Sequence, residues 1–226
     1  MSLTPEQVYR LLHEPIYSWD VAARLSGIVD FLEFSERNLA WQRQREVRRA
    51  KKEADTLEFE PQDAHLLPQA RKQMVESAEL RFDIGLSQSV RYAGIVAYVT
   101  SIEWCMKLFN ARLPHPFSSK KSDSVLILKH LSTKGAYPLS EQAATLKRII
   151  TVRNCIVHSA GLVKGDKHET DIRAAIAALN GFGISNAGFI GDEICVDIGA
   201  VEHMAKEALI WVPALDKACS TNGTFK

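Results

Sequence analysis

The stretch YAGIVAYVTSIEWCMKLF, residues 92–109, is the most apolar part of the sequence and decides the fold. Glu103 and Lys107 interrupt it before it reaches the roughly 20 apolar residues that a membrane-spanning helix needs. The stretch therefore predicts a buried central helix, and we expect no association with a membrane.

A long helix is predicted to carry this stretch, from about residue 69 to about residue 110. Gly85 and Gly94 predict an irregularity at one of these two points. Pro114 and Pro116 prevent the helix from continuing. This helix is then long enough to serve as the axis around which the other elements pack.

Two helices are predicted before it. A capping-box pattern with proline in the first helical turn begins a short helix at Thr4, which ends near His13. The second begins near residues 18–20, and its first half has apolar residues at helical spacing: Val21, Leu25, Ile28, Leu32 and Leu39. The first half is therefore expected to have one core-facing side. Beyond Trp41 the pattern becomes strongly charged.

Five further elements are predicted toward the C-terminus. Short helices are expected over 122–135, with a serine cap, and over 166–179, with a longer one from Ser140 to about Gly161 between them. Residues 182–198 contain glycine-marked turns, and Ile194, Val196 and Ile198 alternate with polar or small residues, which predicts a small β-hairpin. A final amphipathic helix over 201–215 completes an all-α fold with one hairpin.

Composition limits the class of protein. The chain has 226 residues, 46% of them hydrophobic, which suits one globular domain over 1–226. Its 28 Lys and Arg against 27 Asp and Glu give a net charge of +1, so attraction to nucleic acid must come from local patches. The four cysteines form no C-x-x-C pair and are expected to be reduced, and the N-terminus lacks a secretory pattern, so we expect a cytoplasmic protein.

The stretch RNCIVHSAG, residues 153–161, puts a permanent cation in an apolar stripe. At 100° per residue, Arg153 lies near the centre of a sector about 120° wide. The other members of this sector are Leu146, Ile149, Ile150, Ile156, Val157 and Ala160. A guanidinium cannot lose its proton, so it must be paired if buried. Glu103, which also interrupts an apolar run, is the first candidate for its partner.

Asn154 and His158 accompany this arginine. They are four residues apart and therefore adjacent on the helix surface, and His158 falls in the last turn. A cation, an amide and a titratable imidazole are groups that can hold a phosphate and move its protons. The alternatives are a structural ion pair for Arg153 and a surface or capping role for His158.

The sequence RNCIVH is similar to the R-x4-6-H motif of the HEPN superfamily, including the polar residue after the arginine. The resemblance covers about 70–215, as a core bundle, and makes 1–60 a helical extension. It implies a HEPN-like helical bundle that forms a homodimer, with the two motifs facing a shared cleft. It also implies a metal-independent endoribonuclease, a toxin or antiviral effector, in which Arg153, Asn154 and His158 are the catalytic residues.

The charged part of the second helix allows two interpretations. It is either a solvated helical face or an arm that binds RNA, because its cations could neutralise several phosphates. The cations are Arg43, Arg45, Arg48, Arg49, Lys51 and Lys52. Their spacing does not separate the two interpretations.

Other classes of site are not indicated. The sequence has no H-E-x-x-H motif and no close cluster of His, Cys and carboxylates with ligand spacing, so we expect neither metal nor cofactor. Two hypotheses compete with the ribonuclease: an inactive helical module that binds a protein or RNA, and a plain helical protein in which Arg153 pairs with Glu103. A toxin would also imply an antitoxin protein as a partner.

Overall fold

The computed structural model of the protein describes residues 16–118, 123–188 and 191–225. These residues are mostly helical, with one small two-stranded antiparallel sheet, as the sequence predicts. The helix predicted over 4–13 lies outside the described residues. No helix in the described ranges is both long and apolar enough to cross a membrane.

The elements follow one another in a mostly helical order. The bounds are α1 Ile16–Asp55, a 3-10 helix Pro61–Leu66, α2 Leu67–Leu80, a π-helix Arg81–Leu86, α3 Ser87–Arg112, α4 Ser124–Lys134, α5 Ser140–Ser159, α6 Glu169–Ala177, β1 Phe182–Gly188, β2 Gly191–Val196 and α7 Ala200–Thr221. By its internal contacts the chain divides into two compact units, residues 30–94 and the remainder.

The unit of residues 30–94 is held together by packing and by ion pairs between distant residues. Arg43 donates two hydrogen bonds to the Asp83 carboxylate, at 2.6 and 2.8 Å. The irregularity predicted near Gly85 is the π-helix, which contains that glycine. Gly94 lies in regular helix instead, and there a side-chain Cβ would come within 2.8 Å of Leu32 Cδ2. Gly94 therefore permits close helix packing rather than a bend.

The second unit is built around the C-terminal part of α3. Its residues with no solvent exposure include Ile95, Val99, Ile102, Met106 and Phe109. The apolar faces of α4, α5 and α7 are buried in the same unit. The central position predicted for the stretch 92–109 is thus confirmed for the part that belongs to this unit.

One helix start differs from its prediction. The N-cap of α4 is Asp123, whose carboxylate accepts hydrogen bonds from the backbone N–H groups of Val125, at 2.7 Å, and Leu126, at 3.4 Å. A carboxylate satisfies free N–H groups as a hydroxyl would, and its charge also suits the positive end of the helix dipole. The cap is therefore an aspartate rather than the predicted serine, and the helix begins at Ser124.

The hairpin is shorter than predicted. Phe182 pairs with Val196 and Ser185 with Glu193, and β2 ends at Val196. Ile194 and Val196 are buried as the alternation requires, but Ile198 lies beyond the strand and is exposed. The alternating pattern did not predict the end of β2 at Val196. The strand ends there because Gly199, with a φ of 82°, turns the chain into α7.

A buried ion pair attaches α7 to α3. Arg112 Nη1 donates to Asp216 Oδ1 at 2.5 Å, and Asp216 is only 5% exposed. The Arg112 guanidinium also lies 3.9 Å from the centre of the Phe225 ring. Each charge in this pair is therefore satisfied only while α7 is packed.

Replacement of Asp216 by alanine should lower the free energy of unfolding by about 3 kcal/mol, because it leaves Arg112 desolvated without its partner. Chemical denaturation measures this value. The matched control is Glu207→Ala on the same helix, where the exposed carboxyl should contribute less than about 0.5 kcal/mol. Equal losses in the two variants would contradict a structural role for the pair.

Candidate functional site

The helix α5 presents the predicted motif at its C-terminal end. After Ser159 the backbone turns left-handed at Ala160, with a φ of 51°, and remains so at Gly161, with a φ of 84°. The Gly161 N–H donates to the Cys155 carbonyl oxygen at 3.3 Å, which closes the helix end. His158 consequently occupies the last turn, as the sequence predicts.

Arg153 is paired inside the same chain. Its Nη2 donates to Glu103 Oε1 at 2.6 Å, and the two side chains are 22% and 28% exposed. This is the partner that the sequence suggests, since each residue interrupts an apolar run. The Arg153 Nε is buried and has no hydrogen-bond partner among the described residues. The guanidinium therefore keeps unused donors beside its bond to Glu103.

Asn154 and His158 face another part of the surface. Both are exposed and line a groove of about 970 Å³ between α5 and α6. The polar or charged side chains of this groove are Lys147, Arg148, Thr151, Asn154, His158, Asp166, Lys167, His168 and Asp171. Its apolar lining includes Cys155, Ile172 and several alanines. The groove thus combines cations, titratable rings and a small apolar floor.

The helical repeat explains which residues meet in the groove. Positions separated by three or four residues lie on one ridge of α5. On the groove side these are Lys147, Thr151, Asn154 and His158. Arg153 is about 140° from His158 around the helix axis and is not part of the described groove lining. One chain therefore brings Asn154 and His158 together, but it directs Arg153 toward α3.

His168 is a residue of this groove that the sequence analysis did not single out, as are Lys147, Arg148 and Lys167. A usable signal was present in the short connection between α5 and α6. Only nine residues, 160–168, separate the two helices, so the start of α6, which His168 precedes, must lie near the end of α5, which carries His158. Helical spacing alone does not reveal this proximity.

Asp166 fixes the connection between the two helices. Its carboxylate accepts hydrogen bonds from the Ser159 hydroxyl and from the His168 backbone N–H, both at 2.8 Å. These bonds, the backbone N–H of His168 first and the Ser159 hydroxyl second, hold the pKa of the Asp166 carboxyl below its ordinary value. Asp166 thereby links the last residue of α5 to the residue that precedes α6.

The connection is also attached to the hairpin. The Val163 N–H donates to the Asp192 carbonyl oxygen at 2.8 Å, and the Ile194 N–H donates to that of Gly161 at 2.9 Å. Arg173 on α6 donates to the Asp192 carboxylate at 2.5 Å. These bonds attach the small sheet to α6 and to the connection that follows the end of α5, where His158 lies.

The apolar stripe of α5 is used largely inside the chain. Leu146, Ile149 and Ile156 are buried in the core, whereas Ile150 is half-buried and Val157 is 53% exposed. A dimer surface on this helix would consequently rest on Val157 and Ile150 and on the polar residues beside them, rather than on the whole stripe.

The basic stretch of α1 divides into paired and unpaired cations. Arg43 binds Asp83, Arg45 binds Glu46 at 3.1 Å, and Arg49 binds Glu53 at 2.7 Å. The hydrogen bond to Asp83 raises the pKa of Arg43 and lowers that of Asp83. The exposed cations Arg48, Lys51 and Lys52 form no ion pair with the described residues. These three remain available to an anionic ligand.

Among the described residues, no group of three or more His, Cys, Asp and Glu side chains is arranged to hold a metal ion. We also compared the chain with protein-family models, curated proteins and solved structures, and none of them matches it. The candidate site is therefore defined by its own geometry.

The lowered pKa of Asp166 gives a test of the groove connection. Because the folded state favours the ionised carboxylate, its stabilising effect is present above the ordinary Asp pKa, 3.8, and is lost as the pH falls through the lower folded value. Asp166→Asn should therefore lower the melting temperature at about pH 7 and have less effect at about pH 3.

Thermal unfolding followed by circular dichroism measures this difference. Asp171→Asn, which changes an exposed carboxyl on the other wall of the groove, is the control and should show little change at either pH. An effect of Asp166→Asn that is the same at both pH values would exclude ionisation of this carboxyl as the cause.

Proposed function

We propose that the protein is a metal-independent endoribonuclease of the HEPN type that acts as a homodimer. The observation that carries this proposal is the position of His158, exposed in the last turn of α5 and open to a groove with four basic neighbours. Those neighbours are Lys147, Arg148, Lys167 and His168. Such a surface is suited to bind a phosphate and to exchange protons with the groups around it.

The proposed reaction is attack of the RNA 2′-hydroxyl on the adjacent phosphorus. A bond forms between O2′ and phosphorus, and the bond from phosphorus to O5′ breaks. A neutral histidine removes the 2′-hydroxyl proton, and a protonated histidine supplies a proton to the leaving 5′-oxygen. The products are a 2′,3′-cyclic phosphate end and a 5′-hydroxyl end.

Arg153 would stabilise the charge that develops on the phosphate. The bond to Glu103 uses Nη2, and the side chain is 22% exposed, so the remaining Nη donors can bind an oxyanion without breaking that pair. The Nε is buried and does not take part. Because Arg153 and His158 project about 140° apart on one helix, the proposal assigns the complete site to two facing copies. Asn154, beside His158, would orient the substrate.

The second candidate function is a catalytically inactive helical module that binds a protein or RNA. The observation in its favour is the ion pair itself, because Glu103 at 2.6 Å offsets the charge that Arg153 would offer to a phosphate. An activity as a toxin or antiviral effector belongs to the first proposal, and an antitoxin protein would then inhibit cleavage by covering the groove.

Purified protein should cleave unstructured RNA in the presence of EDTA and leave 2′,3′-cyclic phosphate ends. His158→Ala should reduce the rate by about 10² to 10⁴, the usual contribution of a general acid or base. The dependence of the cleavage rate on pH should be bell-shaped, since one histidine must be neutral and the other protonated. The control is His203→Ala, which changes another exposed histidine, on α7.

Arg153 requires a variant that separates chemistry from folding. Arg153→Ala alone leaves Glu103 without its partner, so lost activity could follow from lost stability. The double variant Glu103→Ala with Arg153→Ala removes both charges and should fold, yet it should remain inactive if Arg153 binds the phosphate. Activity of the double variant, or cleavage that requires added Mg²⁺ and survives His158→Ala, would refute the proposal.

The protein should be a dimer at micromolar concentration, with α5 at the interface. Val157→Glu places a charge on the exposed apolar side of α5 and should produce monomers that do not cleave RNA. Ile210→Glu, at a more exposed apolar position on α7, should leave the dimer intact. Light scattering distinguishes the two states, and a wild-type monomer would exclude the composite site.

A further inference from the structure

The solvent-facing side of α1 between residues 34 and 52 has an unusual composition. The buried side of this segment is formed by Val47 and Ala50, with Leu32 and Ala54 at its two ends. At 100° per residue, five side chains lie within about 60° of one another on the opposite side. They are Phe34, Trp41, Arg45, Arg48 and Lys52, and we refer to them as the outer stripe.

Two of its members are large aromatic side chains in an unexpected place. Phe34 is 69% exposed and Trp41 is 56% exposed. Apolar residues at the edge of a helix face usually cover part of the core, but these two lie on the side away from it. Together with Phe31 nearby, which is 45% exposed, they form the kind of apolar surface that marks a binding site.

The charges of the outer stripe have one sign. Between residues 34 and 52 the acidic residues are Glu36 and Glu46, and neither belongs to the stripe. Glu36 is bonded to Arg91 at 2.6 Å, while Glu46 accepts from Arg45 at the margin of the stripe. Arg48 and Lys52 have no ion pair with the described residues, so this surface presents cations to solvent.

The aromatic and cationic groups lie close enough along the helix to act together. The Arg45 guanidinium lies 5.2 Å from the centre of the Trp41 ring. The stripe extends for about 27 Å along the helix, at 1.5 Å per residue. Its ligand should therefore be long, carry repeated negative charges, and have flat faces that stack on aromatic rings.

We propose that the outer stripe binds single-stranded nucleic acid, with bases stacked on Phe34 and Trp41 and phosphates bound by the unpaired cations Arg48 and Lys52. Exposed aromatic rings combined with a row of cations are the means by which proteins bind unpaired strands without reading their sequence. A duplex hides its base faces and would use the cations alone. Arg43, Arg45 and Arg49, whose charges are engaged by acids, are assigned no phosphate contact.

This surface lies in the unit of residues 30–94 and uses none of the residues that the cleavage proposal requires. Its test can therefore use full-length protein with His158→Ala, in which the RNA probe is not consumed. Failure of binding at the stripe would leave the cleavage proposal open, and failure of cleavage would leave the stripe proposal open.

The experiment measures fluorescence anisotropy of a labelled oligouridylate of about 12 nucleotides. Trp41→Ala should weaken binding about tenfold, as loss of one stacked base does, while Trp41→Phe should keep most of the affinity. Ile210→Ala, which removes an exposed side chain on α7, is the control and should have no effect. A duplex of the same length should bind more weakly and should not respond to Trp41→Ala.

The cations are tested by the dependence of binding on salt. Each phosphate contact on a single strand contributes about 0.7 to the slope of log K against log salt concentration. Lys52→Gln should therefore reduce the slope by about 0.7, and Lys72→Gln on α2, where the lysine is paired with Glu76, should leave it unchanged. The combined variant Arg48→Gln with Lys52→Gln should reduce it by about 1.4.

Three results would overturn the proposal. The first is equal affinity of the wild type and Trp41→Ala for the oligouridylate. The second is equal affinity for single strand and duplex with the same response to Trp41→Ala. The third is a change of oligomeric state in Trp41→Ala without a change in RNA binding, because the stripe would then be a protein interface.

Discussion

The ion pair between Arg153 and Glu103 is the constraint on which the arrangement of the site depends. Each residue interrupts the apolar face of a helix, and each would be costly to desolvate alone. The bond of 2.6 Å between them gives each of the two charges a partner. It also sets the rotation of α5, since a helix that directs Arg153 toward α3 must direct His158 toward the groove. The position of the candidate catalytic ring is thus a consequence of where a permanent cation finds its partner.

A second pair, Arg112 with Asp216, uses the same solution in the same unit. Both arginines lie on α5 or α3 and meet a carboxylate from another helix, and both pairs are partly or fully removed from solvent. The two pairs differ in how many guanidinium donors of the arginine remain without a partner. The Arg112 guanidinium also bonds Ser220 and covers the Phe225 ring, whereas Arg153 retains a buried Nε with no partner among the described residues. Of the two, Arg153 is therefore the less completely satisfied guanidinium.

The sequence predicted those features that follow from local periodicity or from a charge in an apolar run. The helices within the described residues, the hairpin, an irregularity at Gly85 or Gly94, and the partner of Arg153 are of this kind. The groove was not predicted, because it depends on the path of the connection between α5 and α6, which Asp166 and the hairpin determine. Nor could the sequence reveal that Arg43 is engaged by Asp83, 40 residues away, since only tertiary structure brings them together. The catalytic roles of Asn154 and His158, and the dimer, remain predictions.

The reactivity of the buried cysteines can be used to observe movement of the groove. Cys155 lies in the groove wall, where burial raises the pKa of its thiol to about 11 and its S–H donates to the Leu162 carbonyl oxygen at 3.4 Å. Cys219 is similarly held beneath α4, with its pKa raised to about 11, while Cys195 is only half-buried. Alkylating reagents attack the thiolate, so these buried thiols react when the structure around them opens. The rate of modification at Cys155, relative to that at Cys219, would therefore report how often the end of α5 beside His158 separates from the connection between α5 and α6.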